Sequence, residues 1–184
     1  IPAITISDER ANIASSAVFR GGDNLMVDSV QNEDNEGLQL LTGLRSGGAL
    51  NVNFNDNLIV YKSDRVNRKI SADVSDIENM KFTVVIETFG TIVESMETID
   101  YLEDKQAWEI LEQKTAEQIE LIATQTLDHL HGELKLDVID LDRHLYANYP
   151  QVWEKVREDW DRGRNYYAMA DIEIHVHAQI RNAG

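Results

Sequence analysis

The sequence contains no cysteine and only two prolines among its 184 residues. The lack of cysteine excludes disulfides, zinc sites built on thiolates and catalysis by a thiol. The phosphate-binding patterns G-x-x-x-x-G-K-[ST] and G-x-G-x-x-G and the hydrolase pattern G-x-S-x-G are absent as well. The sequence therefore carries no legible signature of an enzyme or of a nucleotide-binding protein.

Basic residues are also scarce, since 17 Lys and Arg stand against 33 Asp and Glu. The resulting formal net charge of −16 argues against nucleic acid as a partner, because a phosphate backbone would be repelled. It argues equally against electrostatic docking of this chain onto an anionic membrane surface. The acidic residues are spread along the chain, which is typical of a charged surface that maintains solubility.

Long apolar runs are missing too, and neither a transmembrane segment nor a signal peptide is predicted. The sequence begins with Ile1 and Pro2 rather than with methionine. We therefore expect a fragment or a processed product, with any targeting segment upstream of Ile1.

A helix rich in aromatic residues is predicted in the last third of the chain. Pro150 suits the first turn of a helix, and Gly163 suits its end. Between them Trp153, Val156 and Trp160 recur at helical spacing, so both indoles are expected on one buried face.

The segment that follows this helix alternates between apolar and polar residues, as a half-buried strand does. Its predicted inward side chains are Ile172, Ile174, Val176, Ala178 and Ile180. Together, the helix and the strand predict a structural core of Tyr149, Pro150, Trp153, Val156, Trp160, Ile174 and Val176.

Three further elements can be assigned from the pattern. Asp104 is a predicted N-cap for a helix that runs to about His131 and stops at Gly132. Asp137 is the predicted N-cap of another helix, over residues 138–148. Gly90 is expected to turn the chain between a strand and a returning strand over residues 91–95.

The order of strands, helices and a final strand predicts an α+β fold. We expect an antiparallel or mixed sheet covered on one face by about three helices and preceded by a smaller α/β segment. A break at residues 55–57 suggests two domains, a small α+β domain over 1–55 and a C-terminal α+β domain over 56–184.

The strand face with Glu173, His175 and His177 is the strongest candidate in the sequence for a metal-binding or catalytic site. Residues two apart on a strand point the same way, and histidine beside carboxylate is plausible metal chemistry. A metal-binding module or a hydrolase that uses these residues is therefore one interpretation. The solvent face of a surface strand produces the same pattern and is the other.

Ile110 and Leu121 fall outside the apolar stripe of the long predicted helix, on a common second face. They indicate a possible partner surface, although single exposed apolar residues are also ordinary features of proteins.

The residues from Asp137 onward resemble a known family. The run Asp137-Val138-Ile139, the pair Tyr149-Pro150, Trp153, Trp160 and the ending Ile180–Gly184 are similar to the end of the C subunit of bacterial spore germinant receptors, the Ger(x)C family. Upstream, Ala17-Val18-Phe19, Glu36-Gly37-Leu38, Leu41-Thr42-Gly43 and Gly90–Glu94 resemble the preceding family segments. Asp142 and Ser15 depart from expected glycines, and Ala183 departs from an expected Ser or Thr.

The resemblance implies a non-enzymatic subunit without a cofactor. Members of the family are lipoproteins on the outer face of the inner spore membrane, held by a lipidated N-terminal cysteine. Their partners are two integral membrane subunits, which implies roles in receptor assembly and germination signalling. The matched residues Tyr149, Pro150, Trp153 and Trp160 carry over as structural core, and a binding module for a small germinant is a third interpretation.

Overall fold

The computed structural model describes residues 2–7, 10–19, 25–44, 48–54, 57–95 and 105–183. Its strands are β1 (Pro2–Ser7), β2 (Arg10–Phe19), β3 (Met26–Gln31), β4 (Gly48–Phe54), β5 (Asn57–Asp73), β6 (Lys81–Ser95) and β7 (Asp171–Ala183). Its α-helices are α1 (Asn32–Thr42), α2 (Lys105–Leu127), α3 (Leu141–Asn148), α4 (Pro150–Val156) and α5 (Tyr166–Met169). Shorter 3₁₀ turns cover Ile77–Asn79 and Arg157–Asp159, and a π-helical turn covers Asp128–Leu134.

The described strands form two sheets. The first has three antiparallel strands in the order β1-β2-β3. The second has the order β4-β5-β6-β7, with antiparallel pairs except for β6 and β7, which run parallel. A parallel pair needs a long crossover, and α2 to α5 supply it between β6 and β7. The predicted α+β class with a mixed sheet is confirmed.

Helix α2 covers one face of the second sheet. Its apolar residues recur at helical spacing, so they lie on one side of the helix and face the core. The stripe contains the buried residues Leu111, Thr115, Ile119, Ile122, Thr126 and Leu127. Helix α1 packs against α2 closely at Gly37, where any side chain would collide with the Thr126 hydroxyl. A main core between α2, the sheet and the C-terminal helices results.

A smaller apolar cluster joins the first sheet to the segment after α2. It contains Val18, Val30, Leu130 and Leu136. Arg68 adds a polar link, since its Nη1 donates to the carbonyls of Leu41 (2.8 Å) and Ile139 (2.6 Å). The predicted division at residue 55 stays a prediction, and β4 and β5 on its two sides are paired strands.

The structure corrects two predicted helix ends. The α-helical part of α2 stops at Leu127, and the chain continues as a π-helical turn through Gly132 to Lys135, which adopts the left-handed conformation (φ 55°). Helix α4 stops at Val156 rather than near Gly163, although Gly163 does have a positive φ of 57°. Asp104 lies outside the described residues.

Gly90 is not a turn. Strand β6 continues through it to Ser95, so the predicted hairpin over residues 91–95 is wrong. A side chain at Gly90 would collide with the Lys62 carbonyl and approach the Tyr61 ring within 2.6 Å. Glycine is needed at this position because the two strands approach closely, and not because the chain turns there.

Candidate functional site

The second sheet has one covered face and one open face. On the open face the pairing of β5, β6 and β7 aligns exposed or half-buried side chains in rows across the strands. The rows are Asp73-Lys81-Asp171, Ser71-Thr83-Glu173, Lys69-Val85-His175, Asn67-Glu87-His177 and Arg65-Phe89-Gln179. This mostly polar surface, called the open face below, is built on three paired strands and is therefore held firmly.

The structure places Glu173, His175 and His177 together on the open face, as the alternation predicted. All three are exposed, and Glu173 Oε2 lies 3.9 Å from His175 Nε2. Next to them Lys69 Nζ lies 2.7 Å from Glu87 Oε1, and this hydrogen bond lowers the pKa of Glu87. Over the described ranges, no three His, Asp or Glu side chains converge closely enough to hold a metal ion.

A concavity of about 330 Å³ lies at the end of the open face where β7 begins. It is lined by Ser71, Ala72, Asp73, Lys81, Phe82, Thr83 and Glu173. Ligand pockets in proteins are mainly apolar with few polar groups, whereas most of these side chains are polar or charged.

Ile110 and Leu121 both lie on the outer side of α2, with 40% and 50% of their surfaces exposed. Between them along the helix, Lys114 Nζ lies 2.7 Å from Glu117 Oε2. The two apolar side chains are therefore separated by a charged pair rather than joined into one apolar patch. Their use by a partner stays a prediction.

The aromatic residues of the C-terminal helices form a packed cluster. Trp160 is 3% exposed and makes edge-to-face contacts with Trp153, Tyr167 and Phe82, with ring centroids 6.1, 5.9 and 6.2 Å apart. Such aromatic pairs stabilise the fold beyond the effect of burying their apolar surface. The cluster attaches the helices to β6, because Phe82 belongs to that strand.

The other predicted core residues divide into buried and exposed ones. Val156, Ile174 and Val176 are buried, and Tyr149 is partly buried with its hydroxyl donating to the Ala72 carbonyl at 2.9 Å. Pro150 is exposed at the first position of α4. Pro150 stabilises the start of the helix because its φ is already helical and because the N–H that it lacks would have no partner at this position. It does not contribute buried area.

Asp137 is a polar centre beneath this cluster. Its carboxylate accepts the Trp160 indole N–H at 2.8 Å and the backbone N–H groups of Ile139, Leu141 and Asp142 at 3.2, 3.2 and 2.7 Å. The sequence predicted a helix cap at Asp137, but α3 begins only at Leu141. The indole partner was missed, because nothing in the spacing of residues 137 and 160 indicates contact.

Burial raises the pKa of Asp137 to about 6, although the Trp160 hydrogen bond acts in the opposite direction. We expect the Trp160 indole N–H resonance to titrate with a midpoint near pH 6, and Asp137→Asn to abolish the titration. The ordinary pKa of Asp is about 3.9, so between pH 4 and 6 the folded state retains a proton that the unfolded state has lost. This group alone therefore makes the free energy of unfolding fall as the pH rises through that range. A midpoint below pH 4 would contradict the predicted shift.

Sequence reasoning also missed the contact of His129 with two acidic side chains. Its Nε2 lies 3.4 Å from Asp28 Oδ2 and its Nδ1 lies 3.3 Å from Asp34 Oδ2. Asp28 belongs to β3 and Asp34 to α1, so this histidine joins the π-helical turn to both elements. No local pattern in the sequence indicates this contact between distant segments.

Among the helices of the described residues, none is long and apolar enough to cross a membrane.

The sequence model for the C-terminal region of spore germination B3/GerAC-like proteins matches residues 14–184. The chain belongs to this family. Two curated relatives come from Bacillus subtilis strain 168. Spore germination protein YndF is 25% identical over 93% of this chain and 42% of its own length. Spore germination protein B3 is 23% identical over the whole chain and 48% of its own length.

The fold is similar to the crystal structure of the GerBC protein, with a TM-score of 0.86 and 20% sequence identity. That match covers 98% of this chain and 55% of GerBC. The resemblance to the Ger(x)C family predicted from the residues is thus confirmed. The chain spans less than half the length of each of the two curated relatives named above.

Proposed function

We propose that this chain is the C-terminal part of a non-enzymatic lipoprotein subunit of a spore nutrient-germinant receptor. It contributes to receptor assembly and germination signalling through contacts with other proteins. The observation that carries the proposal is the family match over residues 14–184, which includes both the aromatic cluster and the open face.

The partners we propose are the two integral membrane subunits of the receptor. The place we propose is the outer face of the inner spore membrane, reached through a lipid anchor upstream of this chain. With a net charge of −16, the domain itself is repelled by an anionic lipid surface. Attachment would therefore depend on the anchor and on protein contacts rather than on the charge of this domain.

The open face is the surface that we propose for these contacts. Its rows combine carboxylates, histidines and lysines on a firmly paired sheet, so a partner would meet a fixed pattern of charges. Complementary charges across an interface mainly determine specificity and the association rate. Substitutions here change the surface without removing buried area.

The test is co-purification of the full-length, lipid-anchored protein with its membrane neighbours. We expect Glu173→Lys, His175→Glu and His177→Glu, singly and combined, to reduce the recovery of the membrane subunits while circular dichroism remains unchanged. Lys155→Glu on the exposed side of α4 is the matched control and is expected to leave recovery unchanged.

Normal assembly and germination in variants on every exposed face would contradict the proposal. The alternative of a metal-binding module or hydrolase predicts a different result, namely about one equivalent of metal bound by the purified chain and lost in His177→Ala. That result, together with a protein that never recovers a membrane partner, would favour the alternative.

A further inference from the structure

Strand β7 lies at one edge of the second sheet. In its parallel pairing with β6, the Asp171 N–H donates to the Met80 carbonyl at 2.9 Å. Hydrogen bonding alternates along a strand, so the odd-numbered residues of β7 direct their N–H and C=O groups towards β6. The even-numbered residues, from Ile172 to Ile180, direct theirs away from the sheet. The Ile180 N–H is an example, because it points away from β6 and donates a hydrogen bond to Glu112 Oε1 of α2 at 2.9 Å.

The edge of β7 is long, because the strand covers Asp171–Ala183. A long edge with outward N–H and C=O groups is a template for another strand. The side chains of Ile174, Val176 and Ala178 are buried under α2, whereas the odd-numbered residues are exposed on the open face. An added strand would therefore extend both the covered and the open face.

The side chains of β7 are complementary to themselves in the antiparallel direction. A two-fold axis through Val176 places Ile174 opposite Ala178 of a second copy, and both belong to the set with outward N–H and C=O groups. The same axis places Asp171 opposite Arg181, Glu173 opposite Gln179 and His175 opposite His177. Opposite charges in directly facing positions stabilise a strand pair.

We propose that β7 pairs with β7 of a second copy of this chain, antiparallel about Val176, and joins two four-stranded sheets into one of eight strands. The occupant of the edge is thus this same chain, with two Asp171–Arg181 pairs at the ends of the shared ladder. This pairing does not depend on the proposed role in germination.

The register follows from where β7 is regular. Its pairing with β6 shifts between Gly90 and Ile92, which face Ile180 and Ala183. The regular part of β7 therefore ends near Arg181, which lies over the Phe89 ring at 5.7 Å. An axis through Val176 uses the whole regular part, whereas an axis through His177 would extend the pairing into the irregular end. At Ile180 the second copy would replace Glu112, exchanging one hydrogen bond for another.

The net charge of −16 on each chain opposes this association. The repulsion between distant surface charges is screened over about 8 Å at physiological ionic strength. The facing pairs on the ladder lie well within that distance, so the local charges determine the register. We therefore expect pairing to weaken at low salt, where the overall repulsion is no longer screened.

Cysteine cross-linking tests both the contact and its register, since the chain has no native cysteine. Facing non-hydrogen-bonded residues have Cβ atoms about 4.5–5.5 Å apart, close to disulfide geometry. An equimolar mixture of His175→Cys and His177→Cys chains is expected to form a mixed disulfide dimer in high yield under mild oxidation. A mixture of His175→Cys with Lys69→Cys, on the open face but away from the edge, is the collision control and is expected to remain monomeric.

Each other outcome contradicts the proposal. A dimer of His175→Cys alone, or of His177→Cys alone, in higher yield than the mixture would overturn the register. Equal yields from the Lys69→Cys control, or a monomer in analytical ultracentrifugation of the unmodified chain at high micromolar concentration, would overturn the contact.

Charge reversal gives an independent readout in the same ultracentrifuge experiment. Asp171→Arg and Arg181→Asp are each expected to raise the dimer dissociation constant about tenfold, because each change acts at two symmetric places. The double variant restores opposite charges and is expected to recover the original constant within about threefold. A double variant that dissociates as readily as the single variants would refute the Asp171–Arg181 pairing.

Discussion

Trp160→Ala is expected to lower the free energy of unfolding by about 3–5 kcal/mol, as for other buried large aromatic residues. The indole is 3% exposed and contacts the rings of Trp153, Tyr167 and Phe82. Its removal leaves a cavity between the C-terminal helices and β6 and takes one donor from the Asp137 carboxylate. Urea unfolding followed by circular dichroism measures the change without relying on tryptophan fluorescence.

Two further variants separate packing from hydrogen bonding at this position. Trp160→Phe retains much of the apolar area but leaves Asp137 without the indole donor, which costs about 1–3 kcal/mol for a buried polar group. In an Asp137→Asn background the cost of Trp160→Phe is expected to shrink, because the acceptor no longer carries a charge. Equal costs in both backgrounds would show that the carboxylate charge adds nothing to this hydrogen bond. Trp153→Ala is the packing control, with a smaller effect expected because Trp153 is only partly buried.

Gly90→Ala is expected to destabilise the fold by about 3 kcal/mol, at the upper end of the range for overpacked sites. The added methyl group would meet the Lys62 carbonyl, which belongs to the backbone of the paired strand β5 and cannot rotate away. The Tyr61 ring blocks the other side, and its hydroxyl is hydrogen-bonded to Thr88 at 2.7 Å. The collision of the added methyl group can therefore be relieved only if β5 and β6 separate.

Gly132→Ala is the matched control, since nothing lies within 4 Å of the added atom. In this helical segment alanine is expected to be neutral or to stabilise by about 0.5–1 kcal/mol, because glycine loses more backbone entropy on folding. Thermal and urea unfolding of both variants give the comparison. If Gly90→Ala were as mild as Gly132→Ala, the close approach of β5 and β6 at this point would be refuted.

Several elements could be predicted because their information is local. The alternation from Ile172 to Ile180 predicted both the strand and its exposed face, since side chains on a strand alternate by geometry. The apolar stripe of the long predicted helix indicated the covered side of α2 for the same kind of reason, with the helical period. The grouping of Glu173, His175 and His177 followed from the strand alone.

The errors concern residues whose role depends on distant segments. Gly90 serves close strand approach rather than a turn, and both roles select glycine. Gly132 was expected to end α2, but in the structure it lies inside the π-helical turn that follows α2. The local sequence does not distinguish these two positions for a glycine. Pro150 differs from these, because its role at the first position of α4 is local; the sequence listed it with the core, and in the structure it is exposed.

The sequence by itself determined the fold class, the periodic faces, the acidic surface and, through its resemblance, the family. Only the tertiary structure decided that β6 and β7 are parallel neighbours, that Asp137 receives the Trp160 indole and that β7 is left at an edge. The physical reason is that periodicity reports which side of an element is buried, whereas the choice of its neighbour depends on packing between segments far apart in the chain. The same choice left the even-numbered N–H groups of β7 facing away from β6.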